Sequence, residues 1–296
     1  MAGLLGRFVR HLRLQFQLIL APVFLLGYRL GDGALDGRFL FLFVLVHVGL
    51  YGGMTAYNSY WDRDEGPIGG MKKPPPVGRG EHWGGLAVQV VSVGLMGWQH
   101  PVLGLGGFVL FVLGVMYSHP RWRLKAGPWS SLVTVAVGQG ILPFLLGWYA
   151  AAGSAGWPPW MVLAAAAAGT LLITGLYPLT QVYQIEEDRR RGDCTFAVRQ
   201  GPARVFGLAI LFFGAGLGGF ASLIAAGLFS RFWLAALPLF FAAFAGAVLA
   251  WRRRFGRQDR YANHDWAFGI SAATAAGFWF FIVLEFYLAG AFPSII

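Results

Sequence analysis

Residues 58–65 read Asn-Ser-Tyr-Trp-Asp-Arg-Asp-Glu, which places three carboxylates and an amide in eight positions of a mostly apolar chain. A second stretch, residues 184–193, reads Gln-Ile-Glu-Glu-Asp-Arg-Arg-Arg-Gly-Asp. Eight of the 13 acidic residues lie in these two stretches or, like Glu81, shortly after the first. Neighbouring carboxylates repel one another, and a bound cation offsets that repulsion. The two stretches therefore predict a site that holds a cation together with an anionic group.

If the first stretch is helical, Asn58, Asp62 and Glu65 lie on one face, because four and three residues separate them. Their oxygen donors suit Mg²⁺, which takes a few carboxylates and completes its shell with water and phosphate oxygens. Residues 66–74 are rich in glycine, proline and lysine and predict a mobile loop that closes over an anion. The alternative is an ordinary solvated loop, since short acidic strings are common on protein surfaces.

The second stretch places Gln184, Glu187 and Asp188 on one helical face by similar spacing. Because this arrangement mirrors the first stretch, Glu187 and Asp188 are predicted metal ligands. The three arginines at 189–191 are interpreted instead as charges that anchor the topology of the chain.

Composition indicates a polytopic membrane protein with a single domain, residues 1–296. The chain is 57% hydrophobic and 12% charged, about half the charge of a typical soluble domain, and its mean hydropathy is +0.59. Its one cysteine, Cys194, excludes an intramolecular disulfide framework. A net charge of +10 would suggest a nucleic-acid partner in a soluble protein, but here the positive-inside rule explains it.

Residues 1–14 alternate arginine with apolar side chains and predict an amphipathic helix lying on the membrane. Apolar runs long enough to cross a bilayer follow. They predict an all-α fold of nine spans, near 15–31, 38–57, 83–99, 102–119, 129–149, 160–182, 203–228, 232–250 and 267–290.

The basic residues favour one orientation of these spans. Of the 23 lysines and arginines, 20 lie in the N-terminal segment or in loops that follow an even-numbered span. Such loops face the cytoplasm, so the N-terminus is predicted to be cytoplasmic and the C-terminus, residues 292–296, to lie outside. Both acidic stretches then share the cytoplasmic face and can converge over one cavity.

A basic stretch after the fourth predicted span, residues 117–125, reads Tyr-Ser-His-Pro-Arg-Trp-Arg-Leu-Lys. Cations beside a phenol at the membrane surface are suited to a diphosphate, with Arg121 giving bidentate contacts and Lys125 a point charge. For Arg123, a role as a topology anchor is an equally good interpretation.

These patterns resemble the paired acidic motifs of the UbiA superfamily of intramembrane prenyltransferases. The first family motif is Asn-Asp-x-x-Asp-x-x-x-Asp, and Asn58 and Asp62 match it. Ser59 and Gly66 stand at two positions where the family usually has aspartate. The neighbouring acids Asp64 or Glu65 can substitute for them.

The second family motif is Asp-x-x-x-Asp with an additional acid before the last position. Gln184 replaces its first aspartate, while Glu187 and Asp188 match. Residues 192–201 resemble the family's Gly-x-x-Thr-Leu-Ala-Val-x-x-Gly. The family's Tyr-x-x-x-Lys/Arg diphosphate site and its Arg-Pro pair are matched by Tyr117, Arg121, Lys125, Lys73 and Pro74.

The resemblance implies nine helices around a central cavity and Mg²⁺-dependent transfer of an isoprenyl group from a polyprenyl diphosphate to an aromatic or lipid-like acceptor, as in quinone and prenyl-lipid biosynthesis. The protein is expected to lie in the cell membrane, with its active site on the cytoplasmic side. The implied metal ligands are Asn58, Asp62, Glu65, Glu187 and Asp188; the implied catalytic residues are Asp62, Asp188 and Tyr117; and the implied diphosphate contacts are Asn58, Lys73, Arg121 and Lys125.

Three alternatives stay open. One is a terpene cyclase of the same superfamily, which needs no acceptor. The motif positions that lack the usual acids make this reaction an alternative. A CDP-alcohol phosphotransferase also holds metals at a membrane face, but Asp36-Gly37-Arg38 lacks the rest of that signature. A transporter is the weakest alternative, because only His47 and Glu285 are candidate ionisable groups within the membrane.

Overall fold

The computed structural model describes residues 3–151 and 158–291. Within these ranges the regular structure is helical, with one isolated antiparallel bridge between Ile68 and Met71, so the predicted all-α fold is confirmed. The helices are α1 Leu4–His11, α2 Leu14–Leu30, α3 Gly37–Asp62, α4 Arg79–Gln99, α5 Pro101–Ser118, α6 Pro128–Ala150, α7 Pro159–Val182, α8 Ile185–Arg191, α9 Phe196–Gln200, α10 Pro202–Ala225, α11 Trp233–Arg254 and α12 Arg260–Leu288. The C-terminal residues predicted to lie outside the membrane, 292–296, are not among those described.

Eight helical stretches of the described chain are long and apolar enough to cross a membrane, where nine spans were predicted. They are Leu4–Leu30, α3, α5, α6, α7, α10, Trp233–Arg257 and α12. The predicted span at 83–99 corresponds to α4, a helix of 21 residues. It is less apolar than the others because Glu81, His82 and Gln89 interrupt its hydrocarbon side chains. The assignment of α4 as a further membrane span is therefore based on its length and position and not on its apolarity.

The predicted amphipathic segment contains α1, which is separated from α2 by a left-handed residue, Arg13, with a φ of 49°. Leu4 and Leu5 on α1 are exposed. An exposed apolar face beside arginines is typical of a helix lying in the membrane interface, and that placement of α1 stays a prediction.

Helices α2 and α6 pack at unusually close range through two glycines. A Cβ atom on Gly27 would lie 1.9 Å from the carbonyl oxygen of Phe144, and one on Gly147 would lie 2.0 Å from that of Phe24. Small residues allow such backbone approach between helices in lipid, where no hydrophobic effect drives association. This contact holds together two helices that both line the cavity described below.

Both α3 and α6 contain a π-helical segment, at Leu45–Gly52 and Ala136–Ile141. The two segments are joined by the Tyr51 hydroxyl, which donates to the Gly138 carbonyl at 2.5 Å. π-Helical turns shift the register of side chains and are frequent at functional sites. Here they direct Tyr51 and Gln139 to the same cavity.

Glu285 lies on α12 about 30 Å from His264 at the other end of the helix, given a rise of about 1.5 Å per residue. Its carboxylate is buried and accepts hydrogen bonds from the Ser230 amide at 3.0 Å and the Trp233 indole at 2.8 Å. Arg29 on α2 approaches it to 3.9 Å. Glu285 therefore ties α2, α11 and α12 together and does not line the main cavity.

Candidate active site

A cavity opens where the two acidic stretches meet and continues between the helices. Including its mouth and the solvent open to it, the cavity encloses about 1880 Å³. Its charged lining residues are Arg13, Asp62, Asp64, Lys125, Asp188, Arg191 and Asp193, and its apolar walls include Leu26, Leu110, Leu172, Ile173, Phe220 and Phe278. One compartment thus joins charged groups to a long apolar space.

The last turns of α3 direct Asn58 and Asp62 to the cavity, as their helical spacing predicts. The Asn58 amide oxygen accepts hydrogen bonds from the Ser118 hydroxyl at 2.8 Å and the Lys125 ammonium at 3.0 Å. Lys125 also pairs with the Asp62 carboxylate, and the Arg123 guanidinium lies 3.7 Å from the same carboxylate. The first stretch and the basic stretch after α5 therefore form one cluster.

The second stretch folds back on itself after α8. Gly192 has a φ of 79°, a left-handed conformation that glycine adopts without strain, and it returns the chain towards Asp188. The Thr195 hydroxyl donates to Asp188 at 3.0 Å. Asp193 accepts two hydrogen bonds from the Arg123 guanidinium, at 2.9 and 2.8 Å. Arg123, for which an anchoring role was an equal alternative, therefore joins the basic stretch to the second acidic stretch.

One guanidinium connects the two acidic stretches directly. Arg191 donates to Asp64 at 2.7 Å and to Glu187 at 2.6 Å. Its two neighbours, Arg189 and Arg190, are exposed, which is compatible with the anchoring role given to all three arginines. Arg191 instead lines the cavity.

Arg13 is a site residue that the sequence analysis counted only among the basic residues of the N-terminal segment. It is 7% exposed, lines the cavity, and donates through Nη2 to the Ser59 hydroxyl at 2.8 Å. Its buried Nε has no hydrogen-bond partner among the described residues. A buried charge without a charged partner is costly. The cavity therefore presents a positive charge that an anion would satisfy.

Tyr117 belongs to a chain of hydrogen bonds at the cavity wall. Its hydroxyl lies 2.9 Å from the hydroxyl of Tyr177, which accepts from the Gln181 amide nitrogen at 2.7 Å. The Gln181 amide oxygen accepts from the Ala197 backbone N–H at 3.2 Å. This chain connects the second acidic region, through α7, to the phenol that the sequence pattern singled out.

The loop at 66–74 lies over the cavity mouth, where Ile68 and Gly69 contribute to the lining. The Ile68 carbonyl lies 3.0 Å from His264 Nε2, and Lys72 pairs with Asp265 at 2.8 Å. Gln15 donates to the Gly70 carbonyl at 2.7 Å. Contacts with α2 and α12 therefore hold this loop at the mouth, and its closure over an anion stays a prediction.

Four predicted site residues lie outside the cavity lining: Glu65, Lys73, Arg121 and Glu187. Glu65 was placed by extending the helix, but α3 ends at Asp62 and Arg63 turns into the left-handed region; Asp64 lines the cavity instead. The Arg121 guanidinium lies 5.9 Å from the Trp122 ring and is exposed, as is Lys73. Asn58, Asp62, Tyr117, Lys125 and Asp188 all line the cavity.

Burial perturbs two ionisable groups at the mouth. Desolvation lowers the pKa of the Lys125 ammonium to about 7, against the opposing field of the Asp193 carboxylate. Desolvation raises the pKa of Asp188 to about 6, opposed by the hydrogen bond from Thr195. Perturbed pKa values of this kind are common where ligands bind.

Oxygen donors from both stretches line the cavity, among them Asn58, Asp62, Asp64 and Asp188. No group of three or more acidic, histidine or cysteine side chains converges into a ready-made cage within residues 3–151 and 158–291. Such a cage suits Ca²⁺ or Zn²⁺, whereas Mg²⁺ is usually held by one or two carboxylates together with water and phosphate oxygens. The donor set fits that second arrangement.

Comparison with known proteins bears on both the fold and the family. The sequence model of the UbiA prenyltransferase family matches residues 19–282. A UbiA homologue from Archaeoglobus fulgidus bound to GPP and Mg²⁺ has a TM-score of 0.72 at 18% identity, over 96% of this chain and 99% of that one. The same homologue bound to DMAPP and Mg²⁺ has a TM-score of 0.72 at 19% identity, with the same coverage of both chains.

An apo UbiA homologue from Aeropyrum pernix K1 has a TM-score of 0.62 at 18% identity, over 92% of this chain and 98% of that one. Among curated proteins, none matches the sequence significantly. At these identities the solved structures establish the fold, and the sequence match over most of the chain establishes the family. This chain belongs to the UbiA prenyltransferase family and is an integral membrane protein of the prenyltransferase type.

Proposed function

We propose that this protein transfers an isoprenyl group from a polyprenyl diphosphate to an aromatic or lipid-like acceptor, with Mg²⁺ as cofactor and pyrophosphate as the leaving group. One observation carries the proposal: carboxylates and cations from four separate segments line one cavity that also has apolar walls. An amphiphile with a diphosphate head and a hydrocarbon tail matches this division. The A. fulgidus homologue is described as bound to GPP and Mg²⁺, which supports the same ligand class.

In this proposal Asn58, Asp62 and Asp188 would hold the metal, and Asp64 would take the place first given to Glu65. Glu187 is left out because its carboxylate pairs with Arg191 at 2.6 Å. Bound Mg²⁺ supplies Lewis-acid neutralisation of the diphosphate charge as the leaving group departs. The remaining negative charge is met by cations of the chain. Lys125 and Arg13 line the mouth and have donors to offer an anion.

Binding of the diphosphate rearranges the ion pairs that the residues make among themselves. Lys125 is paired with Asp62, and Arg191 with Asp64. If these carboxylates bind a metal cation instead, the Lys125 ammonium and the Arg191 guanidinium become free to donate charge-assisted hydrogen bonds to phosphate oxygens. The carboxylates are then neutralised by the cation and the basic side chains by the diphosphate.

The reaction breaks the bond between the allylic C1 carbon and the diphosphate oxygen, and the electron pair leaves with pyrophosphate. The acceptor then forms a bond to C1 and loses a proton. Tyr117 and Tyr177 line the cavity, and aromatic rings stabilise a developing cation. The apolar walls hold the isoprenoid tail and exclude water that would otherwise trap that cation.

The direct test is pyrophosphate release by the purified protein with geranyl, farnesyl and geranylgeranyl diphosphates and a panel of quinone-type and lipid acceptors. We expect release with Mg²⁺ and its loss when EDTA removes the metal, because the diphosphate charge is then not neutralised. Restoring Mg²⁺ should restore release. Prenylated acceptor distinguishes transfer from a cyclase, which would yield an acceptor-free terpene. Absence of release with every donor would contradict the proposal.

We further propose that the site faces the cytoplasm, as the distribution of basic residues predicts. Cys194 is the single cysteine, is exposed, and follows Asp193 of the site. A membrane-impermeant maleimide should label it in inside-out vesicles and leave it unlabelled in right-side-out cells. The matched control is Ala34→Cys in a Cys194→Ser background, since Ala34 is exposed between α2 and α3 and should show the opposite pattern. Labelling of Cys194 from outside would overturn the orientation.

A further inference from the structure

The hydrogen-bond chain behind Tyr117 ends at a backbone N–H that fixes the orientation of the Gln181 amide. The Ala197 N–H can only donate, so the Gln181 amide oxygen accepts from it at 3.2 Å. Gln181 therefore presents its NH₂ group to Tyr177, whose hydroxyl oxygen accepts at 2.7 Å. Ala197 and Gln181 are both buried, so this orientation is held by the protein interior.

A phenol has one proton to donate. The hydroxyls of Tyr177 and Tyr117 lie 2.9 Å apart, and either hydroxyl can be the donor; if Tyr177 donates, the bonds run head to tail from Ala197 to Tyr117. Chains in which every hydroxyl donates in the same direction strengthen each bond by polarisation. The Tyr117 proton is then left for a partner outside the chain, and Tyr117 lines the cavity beside Lys125 and Asp188.

We propose that Tyr177 and Gln181 are positioning residues, which orient the Tyr117 hydroxyl so that it donates to the diphosphate of a bound prenyl donor. Neither residue was among the site residues predicted from the sequence pattern. The inference rests on the proposed function, because it requires a diphosphate at the mouth. Gln181 is suited to the task since its amide offers an acceptor on one side and donors on the other.

The test is a double-mutant cycle on binding of farnesyl thiolodiphosphate, which resists cleavage, to the detergent-solubilised full chain with Mg²⁺. Tyr117→Phe should weaken binding about tenfold, as expected for loss of a hydrogen bond to a charged group. Tyr177→Phe and Gln181→Met should each weaken it about threefold through the lost polarisation. In a Tyr117→Phe background, each of these two changes should have an effect below about 1.5-fold, because the group they orient is gone.

Tyr149→Phe is the matched control. The Tyr149 hydroxyl contacts His100 outside the cavity lining, so its loss should leave binding unchanged. Equal effects of Tyr177→Phe in both backgrounds would show a merely structural role and overturn the inference, as would no effect in the wild-type background. Failure of the wild-type protein to bind the analogue would instead refute the proposed function, and the inference with it.

Discussion

Replacing Asp188 by asparagine is expected to reduce metal-dependent pyrophosphate release by about 100-fold or more, the usual loss when a group that stabilises transition-state charge is removed. The substitution keeps the size of the side chain and leaves an oxygen that can accept the hydrogen bond from Thr195. It removes only the negative charge that we assign to the metal. The measurement is the initial rate of release at saturating Mg²⁺ and again over a Mg²⁺ titration.

Glu186→Gln provides the matched control for this experiment. Glu186 lies in the same acidic stretch, two residues before Asp188, and is exposed, so its neutralisation should leave the rate unchanged. Asp62→Asn should behave like Asp188→Asn, because Asp62 contributes the first stretch's carboxylate at the same mouth. Wild-type rates in Asp188→Asn would remove Asp188 from the metal site and with it the central assignment of the proposal.

Arg13→Gln is expected to raise the KM for the prenyl diphosphate by about 10- to 100-fold, since a hydrogen bond to a charged group contributes about 1.5–3 kcal/mol. The thermal midpoint of the ligand-free protein should not fall. Arg13 is 7% exposed and its Nε has no partner among the described residues. The change therefore removes a buried charge whose one side-chain hydrogen bond within the described ranges is to the neutral Ser59 hydroxyl. Loss of affinity without loss of stability is the signature of a ligand-binding charge.

Arg10→Gln is the control for Arg13. Arg10 lies one turn earlier, on α1, and is exposed, so the two changes alter net charge equally but only one alters the cavity. We expect KM to be unchanged in Arg10→Gln. If both variants raise KM alike, long-range electrostatic attraction explains the effect, and Arg13 has no specific contact with the diphosphate.

Local sequence pattern was sufficient to place Asn58 and Asp62, which lie within one helix. Asn58 and Asp62 are separated by four residues inside α3, so the helical period alone placed them on one face, and both line the cavity. The same helical period does not place Glu65, because α3 ends at Asp62 and the chain turns at Arg63. A helix end depends on what the following residues contact, which periodicity does not record.

Charge pairing was less predictable than helix position. Arg121 matched the motif position, yet its guanidinium lies against Trp122, and Arg123 makes the ion pairs with Asp193 and Asp62. The left-handed conformation of Arg123 determines which way its side chain leaves the loop. Arg191 was likewise one of three similar arginines in sequence, and only its contacts with Asp64 and Glu187 distinguish it.

By itself, the sequence determined that this chain is a bundle of membrane helices with two acidic stretches, because long apolar runs and clustered charges are local properties. Only the tertiary structure decided which charges face the cavity. Arg13 belongs to the N-terminal segment in sequence, yet its guanidinium reaches Ser59 and the space beside the acidic stretches. That placement depends on the packing of α1 and α2 against distant helices, since burial of a charge is a property of the whole fold and not of its neighbours in sequence.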